Sequence, residues 1–253
     1  NPNADGLFTS VIKDNWSFGG YYLSNIGDSM YFLRNTTTGK GYGYYVNQLE
    51  TAANVTIRDG NCTVSGNALY SDKAFNLTFD NMQVECPLTF TGLGDACVFI
   101  DHVGGGLVSN VKIVNCNINT QNNPKYCVRV NETDLVVIDG NDMYCNPNDG
   151  AHVFIGADAR NTIVGANKYY SSLTGAEIDP IVIDNGVGTV GVWKDASPSL
   201  TGWGSIGTPS EHGLGFYKSN DGTVSFRGRI AGTATNSGDT LFTLPLGFRP
   251  KAK

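Results

Sequence analysis

Two carboxylates stand 29 residues apart in nearly the same local setting: Asp72 closes "ALYSD" and Asp101 closes "CVFID". If one turn of a repeating structure lies on the next, the two side chains sit about 5 Å apart. That separation suits the acid and nucleophile of a retaining glycosidase. One position further on, His102 and Glu132 correspond across a step of 30 residues and offer a general acid–base pair. Lys125 and Arg129 lie nearby in the chain and could neutralise an acidic sugar, as a lyase requires. Plainer roles compete with these. An aspartate at a chain corner is a turn former, and an exposed His/Glu pair is a solvated ion pair worth under ~1 kcal/mol. A second chemistry is stacking. Trp16, Tyr44, Tyr45, Tyr169 and Tyr170, together with Tyr21, Tyr22 and Tyr42, join an apolar face to a polar tip, which suits contact with sugar rings. Core packing or contact between subunits would use the same residues.

These groups are only as close as the elements that carry them. Helical spacing is nearly absent; short β-rich runs recur, broken by Gly, Asn and Asp. One series comprises residues 68–72, 97–101, 127–131, 152–156 and 180–184. A second comprises 54–57, 76–79, 110–113, 134–137 and 161–164, and a third short segment follows each time. Three short strands in every unit of about 22–34 residues is the pattern of a parallel β-helix, whose coils bury a continuous core only when stacked. Asn54, Asn76, Asn110 and Asn161 occupy a turn position, where asparagine tolerates a left-handed backbone. Cys97 and Cys127 share one repeat position, and Cys62, Cys86, Cys116 and Cys145 fall in the third-strand region. Stacked as small buried hydrophobes they need no disulfide, although an even count permits one. No CxxC pair is present, so no metal and no cofactor is expected. His152 takes the place held by Cys97 and Cys127, and its ring is expected to be hydrogen-bonded in the core or at a corner.

Four segments are expected: residues 1–50 as an N-terminal cap or connector, 51–190 as β-helix coils, 191–206 as a linker, and 207–253 as a C-terminal β module. The first is rich in Tyr, Phe and Gly and breaks the period; a cap would cover the open end of the coils. Charged residues make up only 16% and the net charge is −6. With no Lys/Arg cluster, nucleic acid is excluded as a partner. No run approaches the roughly 18 apolar residues of a membrane span, so membrane insertion is not expected.

The strand "GTVSFRGRIAG" (222–232) and the tail "DTLFTLPLGFRP" (239–250), with Trp203 upstream, resemble a C-terminal module of bacteriophage tail fibres and tailspikes. The elements that carry the likeness are 224–230, Leu244-Pro245, Gly247 and Arg249-Pro250. The coils are similar to the right-handed parallel β-helix body of tailspikes, a fold shared with pectate lyases. The resemblance implies an all-β chain, a right-handed parallel β-helix followed by a partial antiparallel β-sandwich. It also implies a homotrimer in the virion tail, assembled in the host cytoplasm beside other tail proteins. Such a protein attaches to, or depolymerises, a bacterial surface polysaccharide. In such proteins further strands complete the sandwich, so Lys253 is expected to fall short of a complete module.

Overall fold

A computed structural model describes residues 9–24, 29–47, 54–72, 75–86, 89–101, 109–121, 123–187, 189–195, 203–206, 215–219, 223–227, 229–232 and 244. Among these, Asn1–Gly186 and Val187–Lys253 separate as two compact units.

The first unit is a parallel β-helix of seven coils with three strands each. Coil 1 holds β1 (Thr9–Lys13), β2 (Trp16–Phe18) and β3 (Tyr21–Ser24), and coil 2 holds β4 (Ser29–Leu33), β5 (Thr36–Gly39) and β6 (Tyr44–Asn47). Coil 3 holds β7 (Val55–Arg58), β8 (Asn61–Val64) and β9 (Leu69–Asp72). Coil 4 holds β10 (Phe75–Asp80), β11 (Gln83–Glu85) and β12 (Ala96–Asp101), the last preceded by a single 3-10 turn. Coil 5 holds β13 (Ser109–Val114), β14 (Asn117–Asn119) and β15 (Tyr126–Val130). Coil 6 holds β16 (Asp134–Asp139), β17 (Asp142–Cys145) and β18 (Ala151–Ile155), and coil 7 holds β19 (Ile163–Val164), β20 (Lys168–Ser171) and β21 (Val182–Asp184). Stacking the coils makes three seven-stranded sheets. The first strands of the coils form the first sheet, and so on.

The segment expected as a cap therefore differs from expectation: 9–47 is two further coils of the same sheets. Aromatic rings replace Val and Ile inside them. Phe32 and Tyr44 are fully enclosed, with ring centroids 5.6 Å apart, and Tyr21 stacks on Tyr44 at 5.3 Å. Further along, the interior rows are aliphatic: Leu69, Val98, Val128 and Val153 follow one another in register, all fully buried. All six cysteines are buried free thiols. Burial pushes Cys62 up to about 12, so it stays a neutral filler.

The corner between the first and second sheets explains how a coil turns without helices. Asp14, Arg34, Asp59, Asn81, Asn115 and Gly140 stack there, all at positive φ between 49° and 68°. The next position points inward. Asn141 accepts from the Cys116 N–H at 2.9 Å and donates to Ile113 O at 2.9 Å. Asn35 and Asn167 clip the preceding coil in the same way. Each asparagine satisfies two backbone groups that the corner removes from the ladder. Where the row instead carries Met82 and Cys116, sulfur substitutes: the Gly60 N–H donates to Met82 Sδ at 3.2 Å, and the Cys116 thiol faces Phe79 O of the preceding coil at 3.6 Å.

The start of the first sheet bears the expected asparagines, Asn76 and Asn110 as the second residues of their strands and Asn161 just before its strand. Asn76, Asn110 and Asn161 adopt φ of 49°, 60° and 51°. In coil 6 the position belongs to Leu135 at φ 58°, one residue later than the sequence alignment put it. The last coil also slips by one: Val182, not Ile181, pairs with Val153.

In the second unit the stretch expected as a linker carries strands. β22 (Trp193–Asp195) pairs antiparallel with β24 (Gly215–Lys218), which pairs with β25 (Val224–Arg227). β23 (Trp203–Ile206) pairs antiparallel with β26 (Arg229–Gly232). Two small antiparallel sheets are thus present. The tail 239–250 lies outside the described residues, Leu244 excepted.

Candidate functional site

Successive residues of a strand face opposite sides of a sheet, so the inward rows fix which residues look outward. In the third sheet Leu69 and Ser71 point into the core, and Tyr70 and Asp72 point out. The outward row opened by Tyr22 runs Tyr22, Tyr45, Tyr70, Phe99, Arg129, Phe154 and Ile183, one per coil and all in register. An outward row is ordinarily polar; here six of the seven are aromatic or aliphatic.

The rings touch along the row. Tyr22 stacks on Tyr45 at 4.8 Å, Tyr45 meets Tyr70 edge-on at 4.9 Å, and Tyr70 meets Phe99 at 5.5 Å. The middle is closed: Tyr70 and Phe99 are each 5% exposed, packed under Tyr42, Tyr45 and Tyr126. The ends are open, with Tyr22 65% exposed and Phe154 half-buried. Toward the last coils the row changes to a caged cation. The Arg129 guanidinium carbon lies 4.9 Å from the Phe154 ring centroid, 5.3 Å from Phe99 and 6.0 Å from Tyr126. Its Nη1 donates to Gly94 O at 3.0 Å and its Nε to Asn131 Oδ1 at 3.3 Å. A depression of about 360 Å³ opens beside it, lined also by Glu132, Phe154, Asp158 and Asn185.

Asp72 and Asp101 occupy the outward row beside this one. They are register partners on adjacent coils and half-buried. Burial raises the pKa of the Tyr70 hydroxyl, and the negative charge of Asp72 and Asp101 adds to the rise. The pairing expected for the two aspartates is thus present on the outside of the coil. Glu132 is exposed and lines the depression, apart from that pair. His102 lies outside the described residues.

The expected stacking residues divide. Trp16, Tyr45 and Tyr170 face outward; Tyr44 and Tyr169 do not. Tyr44 is 0% exposed, in an interior row that the aromatic first coils require. Tyr169 follows Met143 in an interior row of the second sheet, its ring 4.9 Å from His152. Trp16 is 77% exposed in coil 1, and Tyr170 stacks on Tyr144 at 4.5 Å in coil 7. Both lie on the second sheet, but six coil steps separate them, about 29 Å at the usual strand spacing. Between them that face is polar: Thr36, Asn61, Gln83, Asn117 and Asp142 follow one another.

His152 is fully buried in the core row. Its Nδ1 accepts the Ile181 N–H at 3.1 Å and its Nε2 faces Tyr170 O at 3.1 Å, so the neutral Nε2–H tautomer satisfies both. Burial lowers its pKa. It is a structural ring, as expected.

Alternation within "ALYSD", "CVFID", "CVRVN" and "HVFIG" marks Tyr70, Phe99, Arg129 and Phe154 as one outward row, a signal that a search for Trp and Tyr alone passes over. No protein-family model, curated protein or solved structure matches this chain.

Proposed function

We propose that this protein is a tail fibre or tailspike component that attaches a bacteriophage to a bacterial surface glycan. One observation carries the reading: the outward row of the third sheet bears aromatic rings along a parallel β-helix, flanked by a row of Asn and Asp side chains. Tyr70 and Phe99 are covered, so the contact falls to the exposed Tyr22 with Tyr45 at one end and to Phe154 toward the other, exposed apolar groups of the kind that mark an interaction surface. Rings beside amides and carboxylates suit a sugar, which has C–H faces to stack and hydroxyls to bond. In this role the chain works as a homotrimer among other virion proteins.

The test is binding of the full chain to purified capsule or O-antigen of candidate hosts, with Tyr22→Ser and Tyr45→Ser variants alongside. Saturable binding that these variants weaken supports attachment. Failure to bind any bacterial surface polysaccharide overturns it, and a clean monomer by light scattering overturns the trimer.

The alternative is depolymerisation on the same scaffold, and the Asp72–Asp101 register pair on the outer surface favours it. Release of reducing ends or unsaturated uronates, abolished by Asp101→Asn, replaces simple attachment with catalysis.

A further inference from the structure

We infer that the depression beside Arg129 is a subsite for one neutral pyranose unit, and that it selects against uronic acids; this rests on the glycan-binding reading above.

The first argument is the state of the cation. Arg34 pairs with Asp14 and Arg58 with Asp59, whereas Arg129 forms no ion pair with a described residue. A guanidinium has five N–H donors. Arg129 spends one on Gly94 O and one on Asn131 Oδ1, and among the described residues Nη2 has no acceptor. Three rings surround it, with centroids 4.9, 5.3 and 6.0 Å from its guanidinium carbon. A held arginine with donors left over is a preorganised hydrogen-bonding group.

The second argument is what surrounds it. Glu132 and Asp158 line the same depression, both exposed, and neither pairs with Arg129. Carboxylates accept and do not donate. Ligand hydroxyls can therefore donate to Glu132 and Asp158 while a ring or hydroxyl oxygen accepts from Arg129 Nη2. Phe154 supplies the apolar wall for the C–H face, and the Asn185 side chain adds an amide at the rim. The size, about 360 Å³, lies at the small end of ligand sites, which run from roughly 300 to 1,000 Å³.

The third argument is charge. One arginine against two carboxylates leaves the lining at minus one, on a chain whose net charge is −6. A uronate meets repulsion from both rim carboxylates as it nears the cation; a neutral sugar meets none.

The experiment is titration calorimetry of the full chain with defined oligosaccharides: neutral hexoses, N-acetylhexosamines and uronates, each at low and high salt. Neutral units should bind best, with affinity that barely changes with salt. Phe154→Ala and Arg129→Lys should each weaken binding by about tenfold or more, the size of losing an anchoring contact. Glu132→Ala and Asp158→Ala change exposed side chains, so they carry the test if Phe154→Ala fails to fold. They should weaken neutral sugars and improve uronates. Unchanged binding in all four variants, or preference for uronates in the parent, overturns this subsite and leaves glycan attachment standing. No binding of any oligosaccharide or of whole polysaccharide overturns both.

Discussion

The second and third sheets ride on the same seven coils, yet their outer faces differ. Outside the second sheet, between the exposed Trp16 and Phe18 at one end and the Tyr144–Tyr170 stack at the other, Asn61, Gln83, Asn117 and Asp142 present polar groups to water. Outside the third stand the rings of Tyr45, Tyr70, Phe99 and Phe154, with Tyr70 and Phe99 closed over by their neighbours. Their inner faces are alike: Cys62, Val84, Ile118 and Met143 on one, Leu69, Val98, Val128 and Val153 on the other, all fully buried. Stacking coils constrains only the inner rows and the corners. The rings outside the third sheet are therefore not demanded by the coil: Tyr70 and Phe99 pack into a small cluster of their own, and the more open rings are those proposed for glycan contact.

Variants that attack the shared interior should cost most and leave the contrast between the faces intact. Phe79→Ala empties a fully buried ring site and should destabilise by about 3–5 kcal/mol in urea unfolding. Asn141→Ala strips partners from the Cys116 N–H and Ile113 O and should cost about 1–3 kcal/mol per group left unsatisfied. A loss no larger than a surface change would mean the corner asparagines do not hold the coils.

His152 adds a pH dependence to the interior. Its folded pKa lies below the unfolded value, so the folded state holds fewer protons than the unfolded state between the two. Its contribution should be complete above about pH 6.5 and be lost as pH falls toward the folded pKa. His152→Cys, matching Cys97 and Cys127, should flatten that part of the stability–pH curve. A curve that keeps its slope would assign the effect to other groups.

Smaller still is the corner of coil 6. Leu135 holds a left-handed backbone where Asn76, Asn110 and Asn161 stand in other coils. Leu135→Asn should stabilise by about 1 kcal/mol, the left-handed penalty of an ordinary side chain. Least of all, Asn117→Ala on the outer second sheet should change stability by no more than about 0.5 kcal/mol and leave glycan binding alone. Loss of binding there would erase the distinction between the two faces.

The sequence exposes the coil period from Asn54 onward because Val and Ile mark the inner rows. Coils 1 and 2 are hidden in it, since Tyr21, Phe32 and Tyr44 fill those rows and resemble a surface aromatic patch. The coil-6 register slips by one because asparagine was the marker and Leu135 holds its place. Of the site, the Asp72–Asp101 pairing follows from the period alone. The burial of Tyr44 and the caging of Arg129 depend on neighbours one coil away, which linear spacing does not specify.

The most direct test of the aromatic face sets it against the polar one in a single measurement: retention of the full chain on immobilised bacterial surface polysaccharide. The account predicts that Tyr45→Ser with Phe154→Ser abolishes retention in a protein that still melts cooperatively, while Asn61→Ser with Asn117→Ser retains it fully. Equal retention by both double variants would contradict it.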